Sequence, residues 1–195
     1  MNRPNVNSRR NLSLLIAMTV IAISALLCSA DKATSTGQEH AFDPKKNVLS
    51  QQTLWIVEKP DSFVLISLGP DRETQNWAVG ITNTPPATPK PEMLGRWEIL
   101  GSIAITNRNE QLELMSSLQK SLQLSAGKRY ACFDPHHALR MKRGNKSADL
   151  IICFQCVAMH ENSPQQRILW IDRSQRTNFD AALIRHGLPI ATNSF

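Results

Sequence analysis

The sequence lacks the usual patterns of a protein that binds nucleotides or nucleic acids. Only 8 of its 195 residues are glycine, and no glycine-rich loop follows a strand-like run, so we expect no phosphate-binding loop. No run of Lys and Arg is interleaved with aromatic residues, so no nucleic-acid partner is predicted. Paired carboxylates are scarce as well. Glu110 and Glu113 lie near the start of a predicted helix, where acids interact favourably with the helix dipole and need no catalytic role.

Cysteine is also rare, but its distribution is uneven. The chain has 4 cysteines. Three of them lie with two histidines inside one stretch of 25 positions, as Cys132-Phe-Asp-Pro-His136-His137 and Cys153-Phe-Gln-Cys156. Thiols and imidazoles serve in zinc binding, thiol redox chemistry and nucleophilic catalysis. Any chemical activity of this protein is therefore expected at this cluster.

The N-terminus has the pattern of an export signal. Arg3, Arg9 and Arg10 precede an apolar stretch at residues 12–27, which is followed by small residues. Residues 1–30 are therefore predicted to be a signal peptide. As a helix the apolar stretch would span roughly 24 Å, short of the roughly 30 Å hydrocarbon core of a bilayer. This favours cleavage over a permanent membrane anchor.

Two details of this segment concern the route of export and membrane attachment. Arg9 and Arg10 fit a twin-arginine signal, although two arginines are also usual in an ordinary export signal. Cys28 could be acylated only in a lipoprotein, and Leu27 stands before it where such signals have a small residue. We expect a secreted, periplasmic or cell-envelope protein. Membrane contact is expected only through the N-terminal segment, if that segment is retained or lipidated.

One folded domain is predicted after the signal. Polar residues 31–50 predict a flexible spacer, and residues 51–195 predict a single α+β domain. Four prolines within residues 84–91 predict a long exposed loop inside this domain.

The domain is predicted to combine two helices with a mainly antiparallel sheet. Leucines at every fourth position predict an amphipathic helix at about 108–124, and a short C-terminal helix is expected at about 179–186. The other apolar runs predict strands at 53–58, 62–68, 77–82, 97–106, 129–133, 137–143, 149–159 and 167–172.

The histidines are predicted to lie on a β-hairpin that turns at Gly144 and Asn145. Because side chains alternate along a strand, His137 should face the core and His136 should face solvent. A two-residue turn places His136 opposite Cys153, whereas a three-residue turn places His137 there. Either register sets a histidine across from that cysteine.

The spacing of the cysteines leaves several interpretations open. Cys153 and Cys156 point to opposite faces of a regular strand, and only a bulge would let them bond each other or one metal ion. Cys132, His137, Cys153 and Cys156 have the spacing of a zinc site, and zinc is the only cofactor that the sequence suggests. The competing interpretation is a disulfide between Cys132 and Cys156, with Cys153 as a buried thiol.

The hairpin region resembles an uncharacterised family of small exported bacterial proteins. The family shares Cys-Phe-x-Pro-Arg-His, then Asp-Leu-x-Ile-Cys-Phe-x-Cys, then a C-terminal Phe-Asn/Asp-x-x-Leu segment that ends in Gly-x-Pro. The matching residues here are 132–137, 149–156 and 179–189. The resemblance covers roughly residues 94–190 and implies an exported location and a domain of this extent, but no activity. His136 replaces the arginine of the family pattern, which favours His137 as the functional histidine.

Three functional hypotheses follow. The first is an exported or envelope-associated α+β protein without enzymatic activity, whose Cys/His cluster is structural or binds a metal. The alternative is a thiol-dependent enzyme that uses Cys153 or Cys132 with His137. The third is an interaction protein that uses the proline-rich loop at residues 84–91. No specific partner is predicted from the sequence.

Overall fold

The structure is a computed structural model that describes residues 42–71, 91–128, 130 and 133–191. Among these residues, every helix is too short or too polar to span a bilayer. Several predictions fall outside the described residues: the signal peptide at 1–30, the strand at 77–82, the proline-rich loop at 84–91 and the role of Cys132.

The described chain forms one antiparallel sheet and three helices. The strands are β1 (Ser62–Asp71), β2 (Met93–Leu94), β3 (Trp97–Ala104), β4 (His137–Arg143), β5 (Lys146–Cys153), β6 (Ala158–Ser163) and β7 (Gln165–Trp170). The helices are α1 (Gln51–Glu58), α2 (Arg108–Gln123) and α3 (Arg176–Arg185), the last preceded by a 3₁₀ turn at Arg173–Gln175. The strand order is β2-β3-β1-β4-β5-β6-β7, and all neighbours are antiparallel. This confirms the predicted α+β class.

The three helices cover one face of the sheet. Leu65 of β1 and Leu139 of β4 belong to the main core on this face, together with Ile56 of α1, Leu118 of α2 and Phe179 of α3. Residues one position along each strand point to the opposite face, as alternation requires. There a smaller apolar cluster contains Ile66, Leu68, Leu94, Trp97, Ala138 and Ile151.

Helix α2 confirms the helix predicted at about 108–124. The prediction was close because the capping residue and the leucine spacing that define the helix are local. The side chain of Asn107 accepts hydrogen bonds from the backbone N–H groups of Asn109 and Glu110, which caps the first turn. Leu114, Leu118 and Leu122 are all buried against the sheet. Burying three leucines contributes on the order of 5 kcal/mol relative to leaving them exposed.

Helix α1 replaces a predicted strand at residues 53–58. Ser50 caps the helix by accepting a hydrogen bond from the N–H of Thr53. Thr53 and Ile56 are buried, whereas Leu54 and Trp55 between them are exposed. Buried positions three residues apart are typical of a helix. The prediction of a strand was wrong because it relied on the β-branched and aromatic composition of the segment.

The folded domain also begins earlier than predicted, because residues 42–50 are not a spacer. Leu49 is buried in the main core. The amide nitrogen of Asn47 donates to the carbonyls of Leu122 and Trp170, at 3.1 and 2.8 Å, and its oxygen accepts the N–H of Trp170 at 2.8 Å. The segment thus joins the end of α2 to edge strand β7, through contacts that sequence periodicity cannot reveal.

Three further segments differ from the predictions. The single strand expected at 149–159 is two strands, β5 and β6, joined by a turn at residues 154–157. Helix α3 begins three residues before the predicted 179. In the strand predicted at 129–133, Tyr130 and Phe133 are described and neither is in a strand.

Candidate functional site

The turn between β5 and β6 brings two cysteines together. Cys153 ends β5, and Val157 at the far end of the turn has a φ of 50°, a left-handed conformation that residues other than glycine rarely adopt. The Cα atoms of Cys153 and Cys156 are 5.3 Å apart, and their sulfur atoms form a disulfide. The expectation that the two side chains point to opposite faces was wrong, because strand alternation stops at Cys153.

The chain just before β4 lies against this disulfide. The backbone N–H of Asp134 donates to Sγ of Cys156 at 3.4 Å, and the carbonyl oxygen of Asp134 is 3.1 Å from Sγ of Cys153. The N–H of Tyr130 donates to the carbonyl of Cys156 at 3.3 Å. Residues on both sides of Cys132 therefore contact the disulfide turn. The structure pairs Cys156 with Cys153, whereas Cys132, the partner in the predicted Cys132–Cys156 disulfide, lies outside the described residues.

The hairpin register agrees with a two-residue turn. Arg143 pairs with Lys146 and His137 pairs with Ile152, so the position before His137 is level with Cys153. Gly144 has a φ of 56°, as this kind of tight turn requires.

His137 faces the helix side of the sheet, as predicted, and is 1% exposed. Its ring makes edge contacts with Phe154 and Phe179, at centroid distances of 5.5 and 5.8 Å. Its Nε2 atom lies 2.8 Å from Oδ1 of Asp180. Arg176 donates through Nε to the other oxygen of Asp180 at 3.2 Å. The histidine thus links β4, the disulfide turn and α3.

The environment of His137 favours a neutral ring. Burial lowers the pKa of His137, and the hydrogen bond and charge of Asp180 oppose this shift without overcoming it. The hydrogen bond from His137 lowers the pKa of Asp180, to which the charge of Arg176 also contributes. We therefore assign a neutral His137 that donates its Nε2–H to an ionised Asp180.

His136 departs from its prediction as a solvated residue. It is 8% exposed, and its Nε2 atom lies 3.4 Å from Oδ2 of Asp134. Burial follows from its position just before β4, beside the chain that contacts the disulfide. The prediction was wrong because alternation considers only the faces of a strand and not the loops that cover them.

Acid should destabilise the domain through His137. Because the folded pKa is below the ordinary value of 6.5, the unfolded chain binds more protons, and stability should fall as pH drops through about 6.5. Asp180 should add to this loss at lower pH, below its ordinary value of 3.8. One proton accounts for a slope of at most about 1.4 kcal/mol per pH unit. Urea unfolding at a series of pH values would measure it.

The control for this pH effect is a matched histidine substitution. His137→Asn should remove most of the slope between about pH 7 and pH 5, because the buried ring that the unfolded chain protonates is then absent. An unchanged slope in His137→Asn would contradict the assignment of the buried neutral ring.

Three of the four predicted zinc ligands are described, and they are engaged elsewhere. Cys153 and Cys156 are bonded to each other, and a disulfide sulfur is not the thiolate that zinc requires. His137 is hydrogen-bonded to Asp180. In the part of the chain that the structure describes, no group of three or more His, Cys, Asp or Glu side chains is arranged to hold a metal ion.

No protein-family model, curated protein or solved structure matches this chain. The site must therefore be interpreted from its own geometry, and the resemblance at the hairpin stays a prediction. No pattern in the sequence indicates that Asp180 and Arg176 are partners of His137. The only signal for Asp180 was its place in the C-terminal segment of the family pattern, where it carried no assigned role.

Proposed function

We propose that this protein is an exported or envelope-associated α+β protein without enzymatic activity, whose Cys/His cluster stabilises the fold. The single observation that carries the proposal is the buried disulfide between Cys153 and Cys156, each of which is 1% exposed. Structural disulfides persist in oxidising compartments and are rare in the cytosol. The signal-like segment at residues 1–30 supports the same location.

The structural role accounts for the geometry better than a thiol-dependent enzyme. Thiol–disulfide exchange requires an attacking thiolate to reach a sulfur atom, and both sulfurs belong to buried residues. Redox Cys-x-x-Cys motifs place the first cysteine at a helix N-terminus, where its pKa falls. Cys153 instead ends a strand. His137 contacts Asp180 and two phenylalanine rings, so it is held as a packing residue.

The disulfide stabilises the turn between β5 and β6 and its contacts with β4 and α3. It closes residues 153–156, directly before Val157, whose left-handed conformation costs on the order of 1 kcal/mol or more. Closure also holds Phe154 against His137 and Phe179. The cluster therefore fastens the β5–β6 turn and α3 to β4.

Peptide mapping of the exported protein would test the proposal. Cys153 and Cys156 lie in one tryptic peptide, residues 147–167, and Cys132 lies in another, residues 130–140. The full chain should be expressed with its own N-terminus in a bacterial host, and free thiols blocked before digestion without reductant. We expect peptide 147–167 to be unlabelled, lighter by two hydrogens than its reduced form, and found in the exported fraction.

A matched variant separates export from disulfide formation. Charged substitutions in the apolar segment, Ile16→Asp with Val20→Asp, should keep the chain in the cytoplasm and leave the thiols of peptide 147–167 open to the reagent. Linked peptides 130–140 and 147–167, or free thiols at Cys153 and Cys156 in exported protein, would overturn the proposed structural disulfide. Equal cytoplasmic retention of the variant and the original chain would overturn the proposed location.

A further inference from the structure

An apolar groove lies where the chain enters the domain. It has a volume of about 580 Å³ and lies between residues 42–54 and the C-terminal part of α2. Its apolar lining is formed by Phe42, Pro44, Val48, Leu49, Leu54 and Leu122. The groove shares no lining residue with the pocket beside His137 and the disulfide turn.

Two residues that line this groove, and two of the sequence neighbours of its lining residues, are large exposed apolar side chains. Val48 is 52% exposed and Leu54 is 36% exposed, and both line the groove. Leu124 follows the lining residue Gln123 and is 52% exposed. Trp55 follows Leu54 on α1 and is 41% exposed. Single exposed apolar residues are ordinary, but exposed apolar residues grouped around a groove indicate a binding surface.

The charges near these residues are mainly positive. Lys45 and Lys46 are exposed and adjoin the lining residue Pro44, and the nearby Asp43 pairs with Lys46 at 3.8 Å. At Trp55, the guanidinium of Arg143 lies 4.1 Å from the ring centroid and the ammonium of Lys146 lies 5.4 Å from it. Arg143 also pairs with Glu58 at 3.3 Å. The four cations Lys45, Lys46, Arg143 and Lys146 therefore exceed the two carboxylates Asp43 and Glu58 by two charges.

This combination fits an anionic lipid surface better than a protein partner. Lysine is depleted at protein–protein interfaces, whereas each basic residue near an anionic bilayer contributes about 1 kcal/mol of attraction. Tryptophan is enriched at the level of the lipid headgroups.

We propose that the groove and its basic rim dock onto an anionic lipid bilayer, with Val48 and Leu54 entering the headgroup region. The inference rests on the proposed envelope location and adds a membrane surface to the folded domain itself. From the sequence, membrane contact is expected only through the N-terminal segment, because the packing of residues 42–54 against α2 joins segments that are distant in the sequence.

Fluorescence quenching in vesicles would test this docking with the full chain. The chain is reconstituted into vesicles of phosphatidylcholine, with or without phosphatidylglycerol, that carry a lipid spin-labelled near the headgroup. We expect the spin label to quench emission only with phosphatidylglycerol, and we expect Trp55→Phe to remove most of the quenched component. High salt should reduce the quenching, because surface charges are screened within a few Å at about 1 M salt. An insertion of the N-terminal segment alone would leave Trp55 in water and unquenched.

Two matched variants identify the surface. Leu54→Glu should lower the quenching at least about threefold, since a charge is introduced where an apolar side chain meets lipid. Leu112→Glu changes a leucine that is 47% exposed on α2 and does not line the groove, so it should leave the quenching unchanged. Circular dichroism would confirm that both variants are folded.

Three results would overturn the docking proposal. These are no quenching in the original chain, equal quenching with and without phosphatidylglycerol, and equal losses in the two variants. A dimer in solution that Leu54→Glu disrupts, without lipid quenching, would assign the groove to a second copy of the chain and likewise overturn it. The vesicle experiment involves neither export nor thiol mapping, so its failure is distinguishable from failure of the proposed function.

Discussion

Replacing Arg167 with methionine should lower the free energy of unfolding by about 3 kcal/mol. Arg167 donates through one guanidinium nitrogen to Oε2 of Glu161 at 3.0 Å. Glu161 is 0% exposed, so the substitution would leave a carboxylate buried without its cationic partner. Breaking a buried pair in this way typically costs about 3–5 kcal/mol. We expect the lower end because a third of the Arg167 side chain is exposed. Urea unfolding at neutral pH would measure the change.

The carboxylate of Glu161 has a second contact, so the loss of stability on replacing Arg167 should also affect another part of the fold. Its other oxygen accepts the N–H of Ser50 at 2.9 Å, and Ser50 caps α1. Arg167 also donates to the carbonyl of Lys46 at 3.2 Å. The buried carboxylate therefore holds the entry segment and α1 against β6 and β7. Weakening it should increase amide hydrogen exchange in α1 before it does so in α2.

Two control variants test the cause of the Arg167 effect. Lys46→Met removes an exposed pair with Asp43 and should cost less than about 1 kcal/mol. The double variant Arg167→Met with Glu161→Leu removes both charges and should be more stable than Arg167→Met alone, because no charge is left buried. A double variant that is less stable than the single one would show that packing, rather than the unpaired carboxylate, causes the loss.

Removing the Cys153–Cys156 disulfide should lower the free energy of unfolding by about 2 kcal/mol. For a loop of 4 residues, the loss of chain entropy in the unfolded state accounts for about 2 kcal/mol at 25 °C. The turn directly before the left-handed Val157 would then lack its covalent closure. Phe154 should pack less tightly on His137 and Phe179, and α3 should lose protection from hydrogen exchange. The variant with Cys153→Ala and Cys156→Ala, unfolded in urea, would provide the value.

The matched control for the disulfide is the original chain with reductant. If the bond acts by constraining the turn, reduction should destabilise the original chain by a similar amount and leave the double alanine variant unchanged. Val157→Gly should recover part of the loss in the alanine variant, because glycine adopts a positive φ without steric cost. Equal stability of the original chain with and without reductant would contradict a stabilising role for the disulfide.

The predictions from sequence were reliable where the determining contacts are local. Asn107 caps α2 two and three residues away, and Leu114 and Leu118 repeat within the same helix. Gly144 and Asn145 predicted the hairpin turn with two possible registers, and the structure has the two-residue one, which pairs His137 with Ile152. Each of these depends on residues separated by less than about 20 positions, so the pattern itself carries the information.

The predictions failed where distant segments decide the conformation. Residues 47–50 are held by Leu122, Trp170 and Glu161, which lie far along the chain. Without these contacts, the composition of residues 53–58 favours a strand. His136 is covered by a loop rather than by its own strand. No spacing rule relates such residues, because burial depends on which surfaces meet in the folded domain.

The features of the candidate site also divide into those that local sequence patterns predict and those that tertiary contacts decide. The sequence by itself determined that the cysteines and histidines cluster around one hairpin, that His137 faces inward and that a histidine, either His136 or His137, lies across from Cys153. Only the tertiary structure decided that Cys156 turns back to bond Cys153, and that Asp180 of α3 receives the histidine proton. The physical reason is that alternation along a strand is a local rule. The end of a strand and the partner of a buried ring are set by packing between elements that are distant in the sequence.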